Sequence, residues 1–463
     1  MSDAWRQVPT HRQSVRSLLS ELDDAGQLLR VEEPVELVHE LAAYLWETAS
    51  GPAVLFEQVH GHDLDVFGNL LNSRRRIAQS LGVELAEMHT VLAQAPDRTV
   101  APALVSEGPC QEVVVDVPDL RQLPVPTFFP GETGAYITAG VILAKSATGR
   151  RNASFARLKI LDGTTAFVGI APEHHLSILA REAAADGGAL EVAVTIGNHP
   201  AVLLAGAYYL QLGDDELEVA GALLGEPLEL VACETVALEV PAQCEIVIEG
   251  TLDARRLVEE GPVSEFSGLY EHYGEGPVMT ARRITMRASP LFQTILPGYA
   301  PEHVLIGAVA IAAVMEHRLR QAVPSVREVA VTTGGCGRMH AVVALSEPAA
   351  GDAERTSREA LSALRVMKQV TVVDDDIDIH DPVAVEWAVA TRMKADRDLL
   401  VLPAMSSSRS VPPASDNKVA KLGINATRRG GDRADWARAV PDEATLRRVR
   451  SGLMRRPGQV DSS

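Results

Sequence analysis

The chain has 463 residues, 46% hydrophobic and 23% charged, the balance of a globular protein of two or three domains and not of a disordered, collagen-like or disulfide-built chain. Only 4% are aromatic, so the core must come from Ala, Val, Leu and Ile. A net charge of −19 repels phosphate backbones, which argues against nucleic acid as a partner and leaves room only for a local basic pocket.

Taken in chain order, Val15–Val35 predicts a helix with Leu18, Leu19 and Leu22 on one face, a stop at Gly26, and a strand LLRV that ends before Pro34. From Pro52 to about Gly250, VLFEQV, QEVVVDV, YITAGVILA, ARLKIL, TAFVGIA, EVAVTIG, LELVAC and CEIVIEG read as strands. Two helices, Ser73–Gly82 and His175–Ala185, interrupt them. Many strands with few helices suggest a barrel or a curved sheet. His303–Gln321 reads as one long apolar helix, and its apolar run Val304–Met315 is too short to span a bilayer. REVAVTT, HAVVALS, a helix over Ala353–Val366, QVTVVDDDIDI and a helix over Asp381–Thr391 then alternate as in a smaller α/β domain. Pro403–Ser415 and Arg428–Arg433 read as loops, Asp442–Met454 as a last helix, and the chain from Pro457 as a frayed tail. The N-terminus lacks the apolar stretch of a signal peptide, and Cys110, Cys233, Cys244 and Cys336 form no C-x-x-C pair. A cytoplasmic protein with free thiols and no membrane span is expected.

No P-loop, dinucleotide fingerprint, G-x-S-x-G elbow or H-E-x-x-H occurs, so nucleotide-hydrolase, dehydrogenase, serine-hydrolase and zincin readings lose their support. Five other constellations could carry chemistry. Asn152-Ala-Ser-Phe-Ala-Arg157 joins an amide oxygen for a hard cation to a planar fork for an anion. The two lie on opposite faces of a regular strand unless a bend intervenes. Glu173-His174-His175 follows an apolar strand, and either His could ligate a metal. Gly213–Gly221 carries a cluster of acids, of which Glu216 or Glu218 could bind Mg2+ or Mn2+. Glu259, Glu260 and Glu265 are anchored in a Gly/Pro-rich turn, where two carboxylates held close can take different protonation states. Lys418 or Lys421 could hold a phosphate as a point charge, although a solvated helix face is the plainer reading. Asp374–Asp378 lacks the Gly and distal Glu of an EF-hand loop and reads as a strand-end turn with helix capping.

In order, LLSELDDAGQLLRVEEPVEL, GNLLNSRRRIAQSLG, LPVPTFFPGETGAYITAGVILAKSATGRRNASFARLKI, PLELVACETVALEVPAQCEIVIEG, GPVSEFSGLY and VVDDDIDIHDPVAVEWAVATR resemble the UbiD family of reversible decarboxylases, from about residue 14 to 450. The resemblance implies prenylated FMN made by a partner flavin prenyltransferase, its phosphate bridged by Mn2+ (or Mg2+), with K+ as an optional companion. It implies Asn152, His175 and Glu216 as metal ligands, with His174 the alternative to His175. It implies Ala156, Arg157, His174 and Lys421 beside the cofactor, with Lys418 the fallback. Glu265, Arg157 and Glu260 match the catalytic trio. The linking residues E-G-P-V-S-E depart from the Phe-Gly that many relatives carry before the second acid. The implied reaction removes CO2 from an α,β-unsaturated, aromatic or heteroaromatic carboxylic acid through an adduct with the flavin. Glu265 donates the proton, and Arg157 with Glu260 orients. The implied fold is α+β or α/β: residues 1–298 a flavin domain with a split-barrel-like sheet, 299–323 a connecting helix, 324–440 an α/β assembly domain, 441–463 a helix and tail. A homo-oligomer, dimer or hexamer, is expected. A non-catalytic assembly subunit and a flavin-independent metal lyase or hydrolase are the alternatives.

Overall fold

The computed structural model describes residues 11–429 and 439–453. Ser14 opens the first helix, Val15–Asp24, by accepting the Arg16 N–H, and Leu18, Leu19 and Leu22 are its buried face. Gly26, at φ 66°, makes the left-handed turn that a residue with a Cβ resists. The chain then enters the strand Leu28–Val31. That strand starts a four-stranded sheet with Ala53–Phe56, Asp65–Gly68 and, from far along the chain, Leu291–Gln293.

The central sheet has nine strands. Its path runs Tyr136–Ile137, Arg157–Ile160, Thr165–Gly169, Glu275–Met286, Ile246–Glu259, Leu190–Ile196, Val141–Lys145, Arg151–Phe155, and Val113–Val115 pairs with Glu275–Met286. Every pairing is antiparallel. The first and last strands of the path do not pair, so the sheet is open and the closed-barrel alternative falls. Both faces are covered. Ile142, Ala144, Val192 and Val194 pack on one side with Leu176 and Leu179 of the helix His175–Ala185. Val141, Leu143 and Ala193 pack on the other with the helices Leu85–Gln94, Pro200–Gly206 and Glu216–Leu224. Two covered faces are why these strands read as continuous apolar runs and not as alternation.

The helix Pro301–Ala322 joins two cores. Ile306, Val309, Ala310 and Ala313 enter the central core, while Ala308, Ile311, Met315 and Leu319 enter the C-terminal one. A helix buried on both sides must be apolar all round. The C-terminal sheet has the order Val326–Val331, His340–Leu345, Gln369–Asp374, Lys418–Ala426, Leu399–Ser406. The helix Asp352–Ala363 covers one face and Pro382–Arg392 the other.

Four departures from the sequence reading stand out. The helices Glu40–Glu47, Leu85–Gln94, Pro200–Gly206 and Glu216–Leu224 were not expected; the shortest, PAVLLAG, is buried over six residues and so shows no helical stripe. YITAGVILA forms two strands, because the chain turns between Ile137 and Val141. Lys418–Ala426 is a strand and not a helix face. The expected loop Pro403–Ser415 begins inside the strand Leu399–Ser406, an edge strand, where proline is tolerated, with a register break between Leu402 and Met405. The expected loop Arg428–Arg433 lies outside the described residues from position 430, as does the tail after 453. Among the described residues, no helix is long and apolar enough to cross a membrane, and all four cysteines are free.

Candidate active site

A cavity of about 470 Å3 lies where the central sheet, the start of the long helix and the loops of the C-terminal sheet meet. The strand Arg151–Phe155 stops at Ala156 and the next begins at Arg157. That break is the bend the sequence allowed for, and it lets Asn152, Ala156 and Arg157 all line one cavity.

At one end Arg157 is locked to Glu260 by two bonds, Nε to Oε1 at 2.6 Å and Nη2 to Oε2 at 2.8 Å. Its Nη1 stands 3.7 Å from Glu265 Oε1. Burial opposes the Arg157 charge, but the bonds to Glu260 and the charges of Glu260 and Glu265 outweigh it and hold the guanidinium above its ordinary pKa. Glu260 is fully buried and stands behind Arg157, off the cavity wall, whereas Arg157 and Glu265 line it. The turn is anchored through its backbone: the Glu260 carbonyl accepts from Lys159 Nζ, and Gly261 takes φ 81°. Tyr273 lies under Arg157 at 5.4 Å from ring centroid to guanidinium carbon.

At the other end Glu216 opens its helix and is 3% exposed. Its carboxylate accepts from Asn152 Nδ2 at 3.0 Å and from the Ala153 N–H at 2.9 Å. Among the described residues no Lys or Arg pairs with it. Burial pushes its pKa up to about 7, against the pull of the Ala153 N–H. His174 caps the helix His175–Ala185, and burial, helped by the neighbouring His175, lowers its pKa to about 4. His175 is lowered too, by burial, so both rings are neutral near pH 7. Both line the cavity. Among the described residues no three His, Cys, Asp or Glu side chains gather into a metal site; this set is two such groups and an amide. The donors nevertheless fit a hard divalent cation: a buried carboxylate without counter-charge, an amide oxygen and a neutral imidazole.

Lys421 does not reach the wall. It is buried in its strand, and its Nζ donates to the carbonyls of Leu361 and Leu364, the second of which lines the cavity. Lys418 is exposed at the strand start, and Glu218 is off the wall. Asp374 and Asp376 bond Arg392, and Asp381 caps the helix Pro382–Arg392, the structural role expected of that run. Of the loop Leu296–His303, Pro297 and His303 line the cavity. Sequence reading missed Glu132 and Arg338. Glu132 accepts from the N–H groups of Phe128, Phe129 and Ser264 and from Ser264 Oγ, tying the strand that precedes Glu265 to a distant turn. No local pattern marks either residue.

Three family models match the chain: the 3-octaprenyl-4-hydroxybenzoate carboxy-lyase N-terminal domain over residues 19–95, the Rift-related domain over 103–300 and the C-terminal domain over 303–426. A protein named anhydromevalonate phosphate decarboxylase from Methanosarcina mazei is 35% identical over 92% of this chain and 99% of its own. The UbiD-class enzyme HmfF from Pelotomaculum thermopropionicum, solved in complex with FMN, superposes with a TM-score of 0.89 at 37% identity, over 94% of this chain and 98% of that one. An evolved dimeric form of that enzyme, in complex with prFMN, gives a TM-score of 0.85 at the same identity and coverage.

Proposed function

The chain belongs to the UbiD family of decarboxylases, and on that premise we propose that it releases CO2 from an α,β-unsaturated, aromatic or heteroaromatic carboxylic acid, with prenylated FMN bound in the cavity. The observation that carries this reading is the assembled trio: Glu260 locks Arg157, and Arg157 faces Glu265 on the cavity wall. Prenylated FMN, when bound, supplies the electron sink that loss of CO2 from an sp2 carbon requires. Arg157 keeps its charge and its rotamer through Glu260, so it can orient an anionic acid without reorganising. Glu265 delivers a proton to the carbon that CO2 leaves, and Arg157 at 3.7 Å then stabilises the carboxylate left behind.

Asn152, His175 and Glu216 would hold Mn2+ or Mg2+, with K+ as an optional companion. The cation would let a chain of net charge −19 accept the flavin phosphate. Ala156 and His174 lie beside this group on the wall. Lys421 supports the cavity from behind by fixing the Leu361 and Leu364 carbonyls. A flavin prenyltransferase supplies the cofactor, and the chain works in the cytoplasm as a homo-oligomer, dimer or hexamer. The division into 1–298, 299–323, 324–440 and 441–463 belongs to the same proposal. It is supported by the long helix, which gives one face to each core.

The test is co-expression with a flavin prenyltransferase, followed by CO2 release from a panel of unsaturated and heteroaromatic acids, beside Glu265→Gln. Release by the wild type, lost in a variant that keeps its flavin, is expected. Flavin-loaded protein that releases CO2 from no acid in the panel would overturn the proposal.

A further inference from the structure

Arg338 sits in the turn between the strands Val326–Val331 and His340–Leu345 and reaches the cavity. Its guanidinium carbon lies 4.9 Å from the ring centroid of Phe266, the residue after Glu265. Gly307 of the long helix makes room for it: a Cβ there would stand 2.3 Å from Arg338 Nη1. That nitrogen is buried and has no hydrogen-bond partner among the described residues, and no described carboxylate pairs with the side chain.

Apart from Glu216 at the other end of the cavity, the other charges on this wall are accounted for. Arg157 is held by Glu260 and faces Glu265. Arg365 is paired with Glu173 at 3.0 Å. Glu132 takes three N–H groups and a hydroxyl. His303 is kept neutral by burial and by the charges of Arg338 and Arg157, which bring its pKa to about 3. Its Nδ1 is committed to the Gly298 carbonyl at 2.9 Å. Arg338 is therefore a cation beside the catalytic acid with no counter-charge among the described residues. A buried donor left unmade is costly, and a planar guanidinium suits a carboxylate or phosphate oxygen pair.

We infer that Arg338 receives a second anionic group of the substrate, a carboxylate or phosphate that is not the group lost as CO2. The inference rests on the decarboxylase reading. Arg157 already orients the carboxylate that is lost; a second cation gripping it would stabilise charge that the reaction removes, holding the ground state more than the transition state. A spectator anion keeps its charge throughout, so its binding energy goes into positioning the reacting carbon.

The experiment is isothermal titration of flavin-loaded protein with three matched probes: benzoate, isophthalate and 3-phosphonobenzoate. The wild type is expected to bind at least one dianion about tenfold or more tighter than benzoate. Which dianion it prefers separates carboxylate from phosphate. Arg338→Gln should bring the three probes within about twofold of one another. Gly307→Ala, a change a helix interior favours, should do the same by displacing the guanidinium, and it stands in if the first variant fails to fold. Equal binding of all three probes by the wild type, or a dianion preference that survives in a folded variant, would overturn the inference. So would loss of flavin from Arg338→Gln, which would assign the residue to the cofactor. CO2 release is scored separately. A dianion preference without turnover of any acid sinks the decarboxylase reading and keeps the anion site; turnover without the preference does the reverse.

Discussion

At one end of the cavity Glu260 is fully buried and takes two bonds from Arg157; at the other Glu216 is 3% exposed and, among the described residues, takes bonds only from the Asn152 amide and the Ala153 N–H. The first end contains its own counter-charge. It is complete in the bare protein, and its geometry is fixed before any ligand arrives. The second end lacks one among the described residues, and burial, helped by the charge of Asp215, pushes its carboxyl toward the neutral form. That imbalance is what a bound cation would correct. One end is built for preorganised proton and anion chemistry, and the other is built to be finished by a ligand.

Four changes break or sharpen this contrast. The largest effect is expected for Glu265→Gln, which removes the proposed proton donor and leaves Glu260–Arg157 intact. In loaded enzyme kcat should fall by about 100-fold to 10,000-fold, with the flavin spectrum retained. Next comes Arg157→Ala, which leaves the Glu260 carboxylate buried and unpaired. Urea unfolding should show a loss of about 3–5 kcal/mol, well beyond what a surface arginine gives. At the other end the sign reverses. Glu216→Gln should cost the metal-free protein little, because it removes a buried charge that has no counter-charge among the described residues and keeps an amide oxygen to accept a hydrogen bond. Mn2+ at about 100 times its Kd should stabilise the wild type by about 2.7 kcal/mol in thermal unfolding and leave the variant unmoved.

A buried carboxylate elsewhere checks the same physics. Glu302, 1% exposed, accepts the Leu71 N–H and has no ion pair among the described residues, and burial pushes its pKa up to about 7. A raised carboxyl pKa means that the folded state holds the proton more tightly than the unfolded one. Its contribution is present at acid pH and is lost as pH rises through about 7. The wild type should therefore lose about 2–3 kcal/mol relative to Glu302→Gln between pH 5 and pH 8. Equal pH slopes would show that burial does not dominate this group.

The parts of the fold legible in the sequence were those with a local cause. Leu18, Leu19 and Leu22 share a helical stripe, and Gly26 makes the turn that follows. The apolar run at Val304–Met315 is a helix that serves two cores. Pro200–Gly206 was not legible, because a segment buried all round carries no period. Nor was the sheet order legible: Leu291–Gln293 completes a sheet begun at Leu28, a pairing with no signature in either segment. At the site, Asn152 and Arg157 stand out by residue type, but only the break at Ala156 turns both to one cavity. Arg338 was invisible, since its meaning comes from missing counter-charges supplied, or withheld, by distant elements.

The most direct test of the account is a native mass spectrum of the chain co-expressed with a flavin prenyltransferase in Mn2+, beside Glu216→Gln and Glu265→Gln. The account predicts prenylated FMN on the wild type and on Glu265→Gln, and its loss from Glu216→Gln. A wild-type chain that leaves the cell without flavin, or a Glu216→Gln chain that keeps it in full, would contradict the assignment of the two ends.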